Sequence, residues 1–154
     1  MGDGGGCHPR DNIAMSWLAN KLNLSHNFFD DLMRARENQT EWLAHLIEEK
    51  HKENTNLPIV LMGQTFKPET NLVVGSPAIL LGNILKEKGI NFTFHDPYVG
   101  NLNNEVLDEK SIYLISTKHD VFENLIFPNE SIIIDPHRFI NKSINPNSEV
   151  IYLG

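Results

Sequence analysis

The sequence has a single cysteine, at position 7 of 154 residues. One thiol excludes an internal disulfide framework and any zinc site that needs several cysteines. Positive charge is also in deficit: 13 Lys and Arg stand against 20 Asp and Glu, a formal net charge of −7. Nucleic-acid-binding domains ordinarily carry a basic face, so no nucleic-acid partner is expected. The acidity reads as solubility. No apolar run reaches bilayer-spanning length, and no charged segment leads into an apolar signal core. The expectation is a protein of a reducing, cytoplasmic compartment with no membrane contact, in which sequons such as Asn38-Gln39-Thr40 stay idle. The histidines show no ligand pattern. His45 and His51 lack the three-or-four spacing of a helical metal pair, and His95, His119 and His137 fall in strand ends and loops, where a solvated or hydrogen-bonded imidazole is the ordinary outcome. No metal site is expected.

What is present is enough apolar material, 40% of residues, for one domain with or without an appendage. Ala14, Trp17, Leu18 and Leu22 recur at helical spacing, which predicts a helix from Pro9 to Leu22 with Pro9 in the first helical position. After a break at Asn23-Leu24-Ser25, Ser25 is the expected cap of a second helix from about His26 to Lys52. Its stripe of Phe28, Phe29, Leu32, Met33, Trp42, Leu43, Leu46 and Ile47 needs a surface to pack on, either the following domain or a second subunit. A linker at 53–57 follows, and the pattern then changes. "LPIVLMG", "INFTFHD", "SIYLIST", "SIIIDP" and "EVIYLG" read as strands. "SPAILLGNILKEKG" reads as a helix capped by Ser76, opened by Pro77 and closed by Gly89. The predicted fold class is α/β. A helical segment (1–55) precedes a small Rossmann-like, mainly parallel sheet flanked by helices (56–154).

The cysteine lies in "MGDGGGCHPRDN". Glycine runs mark backbone that must approach something closely. Gly2-Asp3-Gly4 is not a dinucleotide fingerprint, because no strand precedes it. Cys7 falls just before the predicted helix, beside Arg10, and such places favour a reactive thiolate. Asp11 could act as a base or orient a water. A small, partly buried thiol beside a flexible terminus remains the alternative on residue chemistry alone.

Four ordered blocks widen the reading. "GDGGGCHPRD" resembles the cysteine motif of the UDP-glucose/GDP-mannose dehydrogenase family, a glycine-rich stretch followed by Cys-Phe-Pro-Lys-Asp. "MGQTFKPETNLVVGSPAILLGNIL" resembles the family's strand, Phe-Lys-Pro block and Ser-Pro-Ala helix. "FTFHDPYV" resembles its Asp-Pro-Tyr turn, and "SIIIDPHRFI" its late strand with an Asp-Gly-Arg segment. The resemblance spans nearly the whole chain but only the C-terminal part of the family architecture. The NAD-binding Rossmann domain is not among the blocks.

This resemblance implies oxidation of a sugar C6 alcohol to the carboxylate with NAD, on a UDP-sugar, with UDP-glucose the expected one. Cys7 would add to the intermediate aldehyde, giving a thiohemiacetal and then a thioester, with Asp11 handling a proton or water. Gly2 and Gly4 would present backbone to the sugar. Phe66 and Lys67 would contact the nucleotide sugar, Lys67 as a point charge near the pyrophosphate, and Arg138 would be a further substrate contact. Cys7, His8 and Arg10 would face NAD, which a domain outside this chain would mainly hold. The central helices would form a homodimer. The departures are His8 for Phe, Arg10 for Lys, and Val74-Gly75 where an Arg-Glu pair with a cofactor-contacting Arg often stands. The competing readings are a non-catalytic nucleotide-sugar-binding or dimerisation module, and a thiol hydrolase, for which no placed His–acid pair exists beyond the adjacent His8. The resemblance implies an isolated chain that is inactive without the NAD domain.

Overall fold

The apolar run after residue 57 forms β1 (Ile59–Met62), buried along its whole length. It lies at the heart of a computed structural model that describes residues 4–55, 57–100 and 107–153. Four more strands follow: β2 (Thr93–His95), β3 (Ile112–Ile115), β4 (Ile132–Asp135) and β5 (Glu149–Tyr152). They pair in parallel in the order β2-β1-β3-β4-β5. Ile59 is opposite Ile112, Ile112 opposite Ile132, and Ile132 opposite Glu149. On the other side of β1, Val60 is opposite Thr93.

Alternation along the strands builds two cores. Ile59, Leu61, Ile112, Leu114, Ile132 and Ile134 face one side. There they meet Leu43, Ala44 and Ile47 of α2 (Phe28–Glu53) and Leu81 and Leu85 of α3 (Pro77–Glu87). Val60, Met62, Tyr113, Ile115 and Ile133 face the other side. Phe122 from the short α4 (Asp120–Glu123), Phe127 and Ile140 cover them. Because both faces are covered, β1, β3 and β4 read as unbroken apolar runs. Complete burial of a side chain such as Ile47 contributes about 1.5–3 kcal/mol, so the C-terminal half of α2 is anchored firmly to the sheet.

The helix signals at α3 hold. Ser76 Oγ accepts the Ala78 N–H at 3.1 Å, Pro77 opens the helix, and Gly89 follows its C-cap at φ 72°. The N-terminal helices depart from expectation. The first, α1, runs Cys7–Lys21, so Cys7 is its first residue and Pro9 lies within its first turn. Amide groups of the first turn have no intrahelical partner, so the missing N–H costs nothing there. Gly6 at the N-cap makes no side-chain bond, which leaves no sequence signal for that start. For α2 the cap is Asn27, not Ser25. Asn27 Oδ1 accepts the Asp30 N–H at 3.2 Å, and its Nδ2 donates to Ser16 Oγ and Asn20 Oδ1 on α1. The expected apolar face of α1 is not covered: Trp17 is 61% and Leu22 60% exposed, and Ala19 is the buried residue of that helix.

One ion network ties α2 to α3. Glu48 accepts from Lys52 and from Lys88, each at 2.7 Å. These bonds hold its carboxyl at about 2, below the ordinary 4.5. A depressed carboxylate stabilises the fold above its unfolded value and loses that contribution as pH falls from about 4.5 towards 2. Glu48→Gln should therefore flatten the acid limb of a stability–pH curve in that window, as read by urea unfolding. Parallel curves for the two proteins would contradict the assignment.

Candidate functional site

The strand order places a reversal between β1 and β3. The chain crosses over from β1 to β2 on the α2/α3 face, and the later crossovers run on the other side. Open parallel sheets bind ligands beyond the carboxyl ends of the strands at such a reversal. A cleft of about 130 Å³ lies there. Its lining includes Thr65, Phe66, Lys67 and Pro68 after β1, Ser116 to Lys118 after β3, His137 after β4, and Pro77 of α3.

Two buried carboxylates shape the loops around this cleft. Asp96, at the end of β2, accepts the Gln64 N–H at 2.6 Å and the Tyr98 N–H at 2.8 Å. Asp135, at the end of β4, is 0% exposed. Its Oδ1 accepts the His137 N–H at 2.9 Å, and its Oδ2 accepts those of Phe139 and Ile140 at 2.6 and 2.7 Å. Arg138 rides on this second loop with φ 51°. It neighbours the cleft through His137 but is not part of the lining. Burial lowers His137 below the ordinary histidine value, and its Nε2 lies 3.4 Å from the Ser116 carbonyl oxygen. Ser116 Oγ is buried with no hydrogen-bond partner among the described residues.

The cysteine loop docks beside the same cleft. The Gly5 N–H donates to the Gly75 carbonyl at 3.1 Å. A Cβ on Gly4 would lie 3.1 Å from the Phe66 carbonyl oxygen and from Pro77 Cδ. One on Gly5 (φ 93°) would lie 3.2 Å from the Phe66 ring. The glycines thus let backbone pass against Phe66 and the 73–77 loop. Gly2 lies outside the described residues. Gly75 shows why this position carries no larger side chain: at φ 72°, its Cβ would stand 2.5 Å from the carbonyl carbon and oxygen of Gly5.

Cys7 is exposed on the first turn of α1. Arg10 Nε donates to Asp11 Oδ1 at 2.8 Å. That bond holds the Asp11 carboxyl below its ordinary value, so Asp11 is engaged by Arg10 and is a weaker proton acceptor than a free carboxylate. Lys67 is exposed, its Nζ 5.4 Å from the Phe66 ring centroid. The fold therefore brings the Cys7 loop and the Phe66–Lys67 loop, some 60 residues apart, to one end of the sheet. Sequence reasoning missed Asp96, Ser116, Asp135 and the structural role of His119. Asp96 and His119 take partners from other loops. Asp135 gathers three N–H groups of the loop that follows it, and the Ser116 hydroxyl has no partner among the described residues. No motif of residue types marks any of them.

No family model matches the chain. Curated relatives do. It is 27% identical to a GDP-mannose 6-dehydrogenase of Pseudomonas putida over 165 aligned positions, which cover 90% of this chain and 37% of that protein. It is 24% identical to the Pseudomonas aeruginosa GDP-mannose 6-dehydrogenase, with 85% and 30% covered. A UDP-glucose 6-dehydrogenase of Bacillus subtilis matches at 24%, with 73% and 26% covered. The chain is thus similar in sequence to nucleotide-sugar 6-dehydrogenases. It spans about a third of the length of the first two of these relatives. Solved structures agree on the fold. A UDP-glucose dehydrogenase from Pyrobaculum islandicum superposes over 99% of this chain and 38% of its own, with a TM-score of 0.77 at 21% identity. A GDP-mannose dehydrogenase ternary complex from Pseudomonas aeruginosa does so over 97% and 39%, with a TM-score of 0.78 at 20% identity.

No helix among the described residues is long and apolar enough to cross a membrane. Nor does the turn after β1 suit a dinucleotide. Gly63-Gln64-Thr65 leads into a long loop before α3, whereas a dinucleotide cradle needs a glycine-rich turn running straight into a helix N-terminus. The residues of this sheet do not fit NAD there.

Proposed function

We propose that this chain is the C-terminal portion of an NAD-dependent nucleotide-sugar 6-dehydrogenase. On this reading it supplies the thiol nucleophile and the loop that binds the nucleotide sugar. The observation that carries the reading is the convergence of the Gly4–Cys7 loop with Phe66 and Lys67 beside the switch-point cleft. The chain divides functionally into residues 1–55, with the thiol and central helices, and 56–154, with the nucleotide-sugar domain.

Lys67 and Lys118 line the cleft and offer positive charge to a diphosphate. Ser116 Oγ, buried without a hydrogen-bond partner among the described residues, is available to a ligand oxygen. Arg138 adds a cation at the rim, and the backbone of Gly4 faces the sugar. Cys7 is the nucleophile towards the C6 aldehyde, and Asp11, paired to Arg10, orients water for the thioester that results. NAD supplies hydride acceptance. It is held mainly by parts of such an enzyme outside this segment, with Cys7, His8 and Arg10 facing it from α1. The chain alone is therefore a binder without turnover. Titration calorimetry with UDP-glucose and with GDP-mannose tests the reading. UDP-glucose is expected to bind more tightly, and no heat with either sugar nucleotide would refute it.

A homodimer through α1 and α2 belongs to the same proposal. Trp17, Leu22, Phe28 and Trp42 are each more than half exposed. Their α1 and α2 surfaces are the ones that the sheet does not cover. Sedimentation at micromolar concentration should show a dimer, and a monomer unchanged by concentration and salt would contradict it. One observation favours a non-catalytic binding module as the second reading: the backbone of Gly5 fills the space beside Gly75, next to the position where the family's cofactor-contacting Arg often stands. Turnover of UDP-glucose by this segment joined to a dinucleotide-binding domain would decide against that module.

A further inference from the structure

We propose that His119 is a positioning residue for the Phe66–Lys67 loop, fastening both shoulders of that loop through one fixed imidazole tautomer. The proposal rests on the reading of that loop as the nucleotide-sugar contact. His119 is 0% exposed and sits at the N-cap of α4. Its Nδ1 lies 3.1 Å from the Glu69 backbone nitrogen, whose N–H donates to it. Nδ1 is therefore an acceptor, and the ring proton resides on Nε2. Nε2 lies 3.2 Å from Thr65 Oγ1 and 3.3 Å from Asp96 Oδ2. Thr65 Oγ1 already donates its own proton to the Lys67 carbonyl at 3.0 Å, so towards His119 it accepts.

One ring thus grips Thr65 on one side of Phe66–Lys67 and Glu69 on the other. The alternative tautomer would set an N–H against the Glu69 N–H and remove the donor to Thr65. Neighbouring groups hold the ring in place. Tyr98 lies against it with a centroid separation of 4.8 Å, and Phe122 meets it edge-on at 5.5 Å. The far shoulder is secured again where Glu69 accepts from Tyr98 OH and from the Asp120 N–H. Glu69 itself sits at φ 54°, a strained conformation for a residue other than glycine, and its bonds to His119, Tyr98 and Asp120 offset that strain.

The test compares His119→Phe, which keeps an aromatic ring but loses both arms, with His119→Asn, whose Oδ1 can replace the acceptor Nδ1. Imidazole nitrogen shifts of the unmutated protein should show a protonated Nε2 and a bare Nδ1. Amide exchange across Thr65–Glu69 should accelerate about tenfold or more in His119→Phe and be partly restored in His119→Asn. UDP-glucose affinity should weaken in the same order, by about tenfold for His119→Phe. If His119→Phe does not fold, His119→Asn and the tautomer decide. A proton on Nδ1, or folded variants with unchanged exchange across the loop, would overturn the proposal. If the unmutated protein binds neither UDP-glucose nor GDP-mannose, the functional reading fails, while exchange and tautomer still decide the role of His119.

Discussion

Asp135→Asn should lower the unfolding free energy by about 3 kcal/mol. Its two carboxylate oxygens accept three backbone N–H groups from a single loop, at 2.6 to 2.9 Å and fully out of water. Asparagine offers one oxygen and one NH₂. If the oxygen turns towards Phe139 and Ile140, the NH₂ meets the His137 N–H. If it turns the other way, two backbone donors face a donor. Either rotamer leaves a buried N–H without an acceptor, a penalty that exceeds the net value of a satisfied bond. The loss should show as a lower urea midpoint with an unchanged slope, together with faster amide exchange at residues 137–140. A midpoint within error of the unmutated protein would show that the loop does not depend on this carboxylate.

Gly75→Ala should undock the cysteine loop and cost about 1–2 kcal/mol from the left-handed backbone alone. The added carbon would stand 2.5 Å from the Gly5 backbone, so strain at residue 75 cannot be relieved while Gly5 stays in place. The effect should be mostly local. The Gly5 N–H loses its bond to the Gly75 carbonyl, and the start of α1 separates from Phe66. Amide exchange at Gly5 and Gly6 should rise steeply while the β1 and β3 amides stay protected. Retained protection at Gly5 in the variant would contradict the docking described for this loop.

Much of the fold is legible in the sequence because its signals are local. Ile112 to Ile115 sit in an unbroken apolar run because helices or loops cover both faces, and α3 announces itself through Ser76, Pro77 and Gly89. The starts of α1 and α2 were less legible. Gly6 caps without a side-chain bond, and Ser25 looked a better cap than Asn27, whose further bonds to Ser16 and Asn20 exist only once the two helices meet. At the site, the glycine run before a helix start marks Cys7, the family resemblance marks Phe66 and Lys67, and the fold brings their loops together. His119 was legible only as a histidine in a loop. Its partners Thr65 and Glu69 lie about 50 residues away, and the β1–β3 pairing creates their proximity. Asp135 reads only as the end of the strand "SIIIDP" and the start of an Asp-Gly-Arg-like segment, whereas its two oxygens hold a loop that forms only when β4 ends.

The most direct test of the central claim is the affinity of UDP-glucose for this protein and for Lys67→Ala, measured by calorimetry at two salt concentrations. If the cleft behind Phe66 and Lys67 is the nucleotide-sugar site, the variant should bind about tenfold or more weakly, because a diphosphate loses a charge-assisted contact. The salt dependence should also shrink, because one screened charge has been removed. Equal affinity and equal salt dependence for the two proteins would place the nucleotide site elsewhere and contradict the account.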